Sequence, residues 1–153
     1  FSHLSYGLVF VFMLLHTVGA HYTYSAVPAG DWVAETFGLA RNPYDRFVHF
    51  AFGCLLVYPM REIALRGMHV HRAASYVVPV LCIVASSACY EMIEAWAARI
   101  VAPSVGMAFV GAQGDVWDGQ KDMSLALGGA IATMAGVAAW RRFGGREPYV
   151  ALS

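Results

Sequence analysis

The chain has 153 residues, 59% of them hydrophobic and 13% charged, with a mean hydropathy of +0.55. A soluble domain is nearer roughly 45–50% apolar and about 25% charged, and one core of this length could not hide so much apolar surface. Ten basic residues balance ten acidic ones and no basic face is clustered, so there is no footprint for a nucleic-acid partner. Four apolar segments follow in chain order. The first runs from Leu4 to about Ala20 and on into His21-Tyr22-Thr23-Tyr24, so that the span covers about 4–24. It carries His3 and no basic flank, unlike a signal peptide. Residues 25–43 form a long loop in which Asp31 caps a short helix through Phe37, ended by Gly38. The second span covers 44–66, with Pro43 in its first turn.

Residues 67–72 make a hairpin loop, and the third span covers 73–100. Residues 101–119 make a second long loop, and the fourth span covers 120–140, with Gly128, Gly129 and Gly136 on a small-residue face. Each segment is long enough to cross about 30 Å of hydrocarbon at about 1.5 Å per residue. Spanning segments must be helices or a closed barrel, and these runs are too long for barrel strands. The expectation is an all-α, polytopic transmembrane bundle of about four spans, in one integral-membrane domain over 1–153 and in contact with membrane lipids. Cys54, Cys82 and Cys89 lie in apolar stretches without CxxC spacing and are expected as small buried hydrophobes.

Arg61, Arg66, Arg72, Arg141, Arg142 and Arg146 fall at one end of such a bundle, close to helix ends. The positive-inside rule places that end, with the 67–72 loop and the C-terminus, in the cytoplasm. The acids are far less even. Glu62 and Glu147 fall at the basic end, whereas Asp31, Glu35, Asp45, Glu91, Glu94, Asp115, Asp118 and Asp122 fall at the other, with His16, His21 and His49. Tyr22, Tyr24, Trp32, Tyr44, Trp96 and Trp117 cluster at the same level, as an aromatic belt would.

Spacing sharpens this asymmetry. Asp45 and His49 are four apart, Glu91 and Glu94 three apart, and Asp118 and Asp122 four apart, so each pair shares a helical face. Ionisable groups in spans are costly and face inward toward partners. Two arrangements satisfy so many carboxylates. Arg41, Arg46, Arg99 and Lys121 can pair with them in a polar cap. Alternatively a divalent metal, Zn, Mn or Fe given these oxygen and nitrogen donors, sits among Asp45, His49, Glu91, Glu94, Asp118 and Asp122. In the second case Glu91 or Glu94 is the candidate catalytic base, and Arg41 and Arg46 are the candidates for binding an anionic head group. His16 serves as a helix-to-helix hydrogen bond or as a ligand.

These motifs resemble the YjdF family of bacterial inner-membrane proteins. The resemblance is carried by His21-Tyr22-Thr23-Tyr24, Pro28, Arg41-Asn42-Pro43-Tyr44-Asp45-Arg46, His49-Phe50 and Arg61-Glu62. It continues through Tyr90-Glu91, Glu94, Trp96, Gln113-Gly114-Asp115-Val116-Trp117-Asp118-Gly119-Gln120 and Asp122-Met123. The resemblance implies a multi-pass inner-membrane protein of uncharacterised activity, with further hydrophobic sequence ahead of Phe1. A looser similarity, in Asp45-Arg46 and His49 with Glu91, Glu94 and Asp122, is to VanZ-like envelope proteins. The readings are an enzyme acting on a lipid-linked or envelope substrate, or an accessory subunit of a homo-oligomer or larger membrane complex. A transporter is disfavoured by the lack of a continuous polar path.

Overall fold

The computed structural model describes residues 1–100 and 113–146. All regular elements among these residues are helical: α1 (His3–His21), α2 (Pro28–Phe37), α3 (Tyr44–Arg66), a 3-10 turn (Ala74–Tyr76), α4 (Val78–Ile100) and α5 (Asp118–Arg142). Most of the loop expected over 101–119, and Glu147, lie outside the described residues. Among the described residues four helices are long and apolar enough to cross a membrane, the third taken through the 3-10 turn as Ala74–Ile100. The expected four-span, all-α architecture is therefore present.

Several boundaries differ from the sequence reading, each for a local reason. α1 stops at His21 because Thr23 and Tyr24 adopt positive φ and turn the chain back under the helix. α2 begins at Pro28, not at Asp31: proline suits the first turn, and the Asp31 carboxylate accepts from Asn42 Nδ2 at 2.8 Å instead of capping. Gly38 ends α2 as expected. Pro43 is the N-cap of α3 rather than its first-turn residue. α4 begins at Val78 rather than near residue 73. Pro79 has no N–H to donate to an earlier turn, so the chain passes through the 3-10 turn and restarts.

α3 is the hub. It is the most buried of the four spanning helices, whereas α1, the 74–100 segment and α5 are largely exposed on the bundle surface. It packs on α1, α4 and α5, and Val57, Ile83, Ala126, Ala130 and Met134 form the core. The closest approach is between α3 and α5. A side chain at Gly53 would collide with the Ala126 carbonyl, and one at Gly129 with the Phe50 carbonyl, so backbone meets backbone. Thr133 Oγ1 donates to the Cys54 carbonyl at 3.0 Å, one turn before the internal Pro59. The small-residue face is narrower than expected, since nothing lies within contact of Gly128 or Gly136.

Leu14, Phe10, Leu81, Ile93 and Ile131 are exposed on the bundle surface, where lipid covers them. The cysteines are not the buried hydrophobes expected: Cys54 and Cys82 are half-buried and Cys89 is exposed. Trp32, Trp96 and Trp117 are exposed as a belt would be, but Tyr44 is buried and donates to the Leu15 carbonyl at 2.9 Å. The basic end is also less plain than its sequence. Glu62, 2% exposed, accepts from Ser2 N at 2.7 Å, Ser5 Oγ at 2.6 Å and Arg66 at 2.8 Å. Buried Arg61 lies 4.1 Å from the Tyr76 ring centre.

Candidate functional site

α3 and α5 start at the same end of the bundle, and α4 finishes there. The partial positive charge of two helix N-termini therefore meets the acids of their first turns. Asp45 and His49 come from α3, Asp118 and Asp122 from α5, and Glu91 and Glu94 from α4. Packing around α3 brings all six together, in two tiers.

The outer tier is paired. Arg41 binds Asp118, and its guanidinium lies 3.8 Å from Asp115 and 3.9 Å from Asp45. Arg46 reaches Asp115 at 2.6 Å and Asp118 at 3.7 Å, and Lys121 reaches Asp115 at 2.5 Å. The Lys121 hydrogen bond, with a second from the Trp117 N–H, holds the Asp115 carboxyl at about 2, well below its ordinary value. Gln113 clamps the loop to Asn42, accepting from Asn42 N at 2.9 Å and donating to its carbonyl at 3.0 Å. Arg99, the remaining candidate counter-charge, is exposed.

Among the described residues the inner tier is less well matched by cations, with only the Arg41 contact to Asp45 at 3.9 Å. Asp45, His49 and Asp122 are buried, and each offers a ligand atom within 4.8 Å of the other two. His49 Nε2 lies 3.7 Å from Asp45 Oδ1 and 3.4 Å from Glu91 Oε1. Asp122 is 2% exposed, and its Oδ1 has no hydrogen-bond partner among the described residues. Glu94 stands one turn nearer the outer end of α4 than Glu91, against the Tyr90 hydroxyl. Against the carboxylates of Asp45, Glu91, Glu94, Asp115, Asp118 and Asp122, the described residues supply Arg41, Arg46 and Lys121, half as many charges.

Beside the inner tier lies a cavity of about 240 Å³ bounded by α1, α3 and α4, with Phe12, His16, Val48, His49, Phe52 and Tyr90 among its walls. His49 thus serves both the carboxylate tier and an apolar chamber. At its rim the Tyr24 hydroxyl contacts His16 Nδ1 at 2.6 Å. Burial, and next the nearby Tyr90, hold the Tyr24 phenol above its ordinary range. The Tyr24–His16 bond ties α1 to the turn that follows it, rather than to another helix as foreseen for a hydrogen-bonded His16. The ring of Tyr24 fills the space where a Gly19 side chain would stand. His21 packs edge-on against Tyr22 and does not join the tier.

The family model described as "Predicted membrane protein (DUF2238)" matches residues 1–143. The chain belongs to this family. It is 43% identical over 147 residues to "Inner membrane protein YjdF" of Escherichia coli strain K12, covering 92% of this chain and 70% of that protein. No solved structure matches the chain. With its four apolar helices, it is a multi-pass inner-membrane protein.

Sequence spacing paired the acids correctly within each helix but carried no distance between helices. It therefore missed the division into a paired and a less well paired tier. It also missed the cavity, which is lined by Tyr24, read as a belt residue, and by Tyr90, Ser86 and Ser87.

Proposed function

We propose that the inner tier binds one divalent metal ion and that the protein acts on the head group of a membrane amphiphile. The observation that carries this reading is the convergence of Asp45, His49 and Asp122 on one buried point, with an Asp122 oxygen lacking a partner. An unpaired carboxylate at such a depth is costly, and a divalent cation removes the cost. The donors are carboxylate and imidazole, which suit Zn, Mn or Fe. Ligand atoms around such an ion stand about 3–3.5 Å apart, so the three side chains close by about 1 Å to reach it. Glu91 is the natural fourth ligand or the proton acceptor, and Glu94 with Tyr90 lies behind it. A metal there supplies Lewis acidity and lowers the pKa of bound water. Asp118 stays with Arg41, outside the ligand set. Arg46, the more exposed of the two arginines, can exchange Asp115 for an anionic head group. The Asp-basic-x-x-His pattern shared with VanZ-like proteins supplies two of the three ligands. The arginines of the opposite end favour the outer face of the membrane for this site.

Elemental analysis of detergent-purified protein tests the reading. Wild type is expected to carry about one equivalent of Zn, Mn or Fe. Asp122→Asn should lose it and Asp31→Asn should keep it. Wild type without metal after growth with all three would sink the proposal.

A second reading has its own support in the outer tier. The Arg41, Arg46 and Lys121 pairs with the Gln113–Asn42 clamp are what a structural cap needs. The protein would then be a non-catalytic subunit of a membrane complex. Melting that ignores chelators, with co-purification of a fixed partner, would favour this alternative.

A further inference from the structure

The apolar cavity contains one polar group without a use inside the protein. Ser87 is 2% exposed, lines the cavity, and its hydroxyl has no hydrogen-bond partner among the described residues. A serine in a spanning helix is normally bonded to its own backbone or to a neighbouring helix, because hydrocarbon offers nothing else. Ser87 lies one turn below Glu91 on α4, about 6 Å along the helix axis. Whatever satisfies Ser87 therefore sits one turn deeper than the carboxylate tier.

We propose that the cavity between α1 and α4 holds an acyl chain of a glycerolipid, with its ester carbonyl accepting from Ser87 and its head group at the inner tier. This rests on the head-group reading above and adds the class of lipid. The walls at Phe12, Val48 and Phe52 are apolar and aromatic, which suits a hydrocarbon chain. At about 30 Å³ for a water-sized group, the chamber takes about eight methylene-sized groups, the upper part of one chain. Its entrance is lateral. α1 and α4 each pack on α3 and have at most marginal contact with each other, and Ser86 and Tyr90 are exposed beside the gap. A lipid enters from the bilayer without crossing the Arg41–Asp118 lid. In a glycerolipid the ester carbonyl follows the head-group phosphate after two glycerol carbons, a span comparable to one helical turn. A polyprenyl phosphate fits the chain-binding walls equally well but brings no acceptor to Ser87.

Native mass spectrometry of the full chain, released from detergent, separates these cases. The probes are dioleoyl phosphatidylglycerol, its dialkyl ether analogue and undecaprenyl phosphate. The ester lipid should be retained about fivefold better than the ether, the worth of one buried neutral hydrogen bond. Ser87→Ala should abolish that preference while leaving ether binding unchanged, and Ser87→Thr should keep it. Phe52→Trp, which fills the chamber, should weaken all three lipids. Asp122→Asn should lose metal yet keep the ester preference, so the lipid assignment and the metal assignment fail separately. Equal retention of ester and ether, preference for undecaprenyl phosphate, or an ester preference that survives Ser87→Ala would overturn the proposal.

Discussion

Gly53→Ala is the most informative single change to the bundle. The added Cβ would collide with the Ala126 carbonyl oxygen and lie 2.8 Å from the Ala130 nitrogen. Both obstacles are backbone atoms of a helix whose facing residues Ala126 and Ala130 are fully buried, so no side chain can swing aside. Relief requires α3 and α5 to part by about 1 Å, which loosens contacts along the core; overpacking of this kind costs about 1–3 kcal/mol. Gly128→Ala, on the same helix pair, is the control. It meets nothing within contact and gains about 1 kcal/mol of helix propensity. The two variants should differ by about 3 kcal/mol, or about 6–12 °C in melting temperature for a chain of this size. Thermal unfolding in a mild detergent measures this. Maleimide labelling of Cys54, whose Sγ faces Gly129 across the crossing, should quicken in Gly53→Ala alone. Coincident melting curves for the two variants would refute the backbone-contact argument.

Two further outcomes follow from the polar groups. Lys121 and the Trp117 N–H depress the Asp115 pKa from 3.8 to about 2, so its pairs with Arg46 and Lys121 are complete above about pH 4 and are lost as pH falls through about 2. Carboxyl-carbon NMR of Asp-labelled protein should place that midpoint near 2, and a midpoint at 3.8 or higher would contradict the pairing. At the other end, Glu62→Gln puts an amide where Ser2 and Ser5 need an acceptor. The first turn of α1 should lose about 2 kcal/mol of local protection, speeding amide exchange there about thirtyfold. Unchanged exchange would show that Glu62 does not pin α1.

Much of the architecture is legible in the residues. Runs such as Tyr44–Arg66 admit only one backbone solution in lipid, so four spans and their approximate ends follow from length and hydropathy. The pairing of Asp45 with His49 and of Asp118 with Asp122 follows from helical periodicity. Interhelical distance does not. That Asp118 turns to Arg41 while Asp122 turns inward depends on how α5 is seated against α3, and the seat is set by Gly53 and Gly129. Glu62 was hidden for a similar reason. A single acid between Arg61 and Arg66 reads as an interfacial ion pair, and its serine partners lie 57 and 60 positions away in sequence. Tyr24 was misplaced because a tyrosine at a helix end resembles a belt residue until the turn at Thr23 folds it inward.

The central position of α3 bears on how the chain is made. It is the least apolar of the four spans, and it carries Asp45, Arg46, His49, Arg61 and Glu62. On its own it would leave the translocon reluctantly. Glu62 is held by Ser2 and Ser5 at the start of α1, and Arg46 reaches Asp118 of α5, which begins long after α3 is complete. Biogenesis must therefore keep α3 sheltered beside α1 until α5 emerges and closes around it.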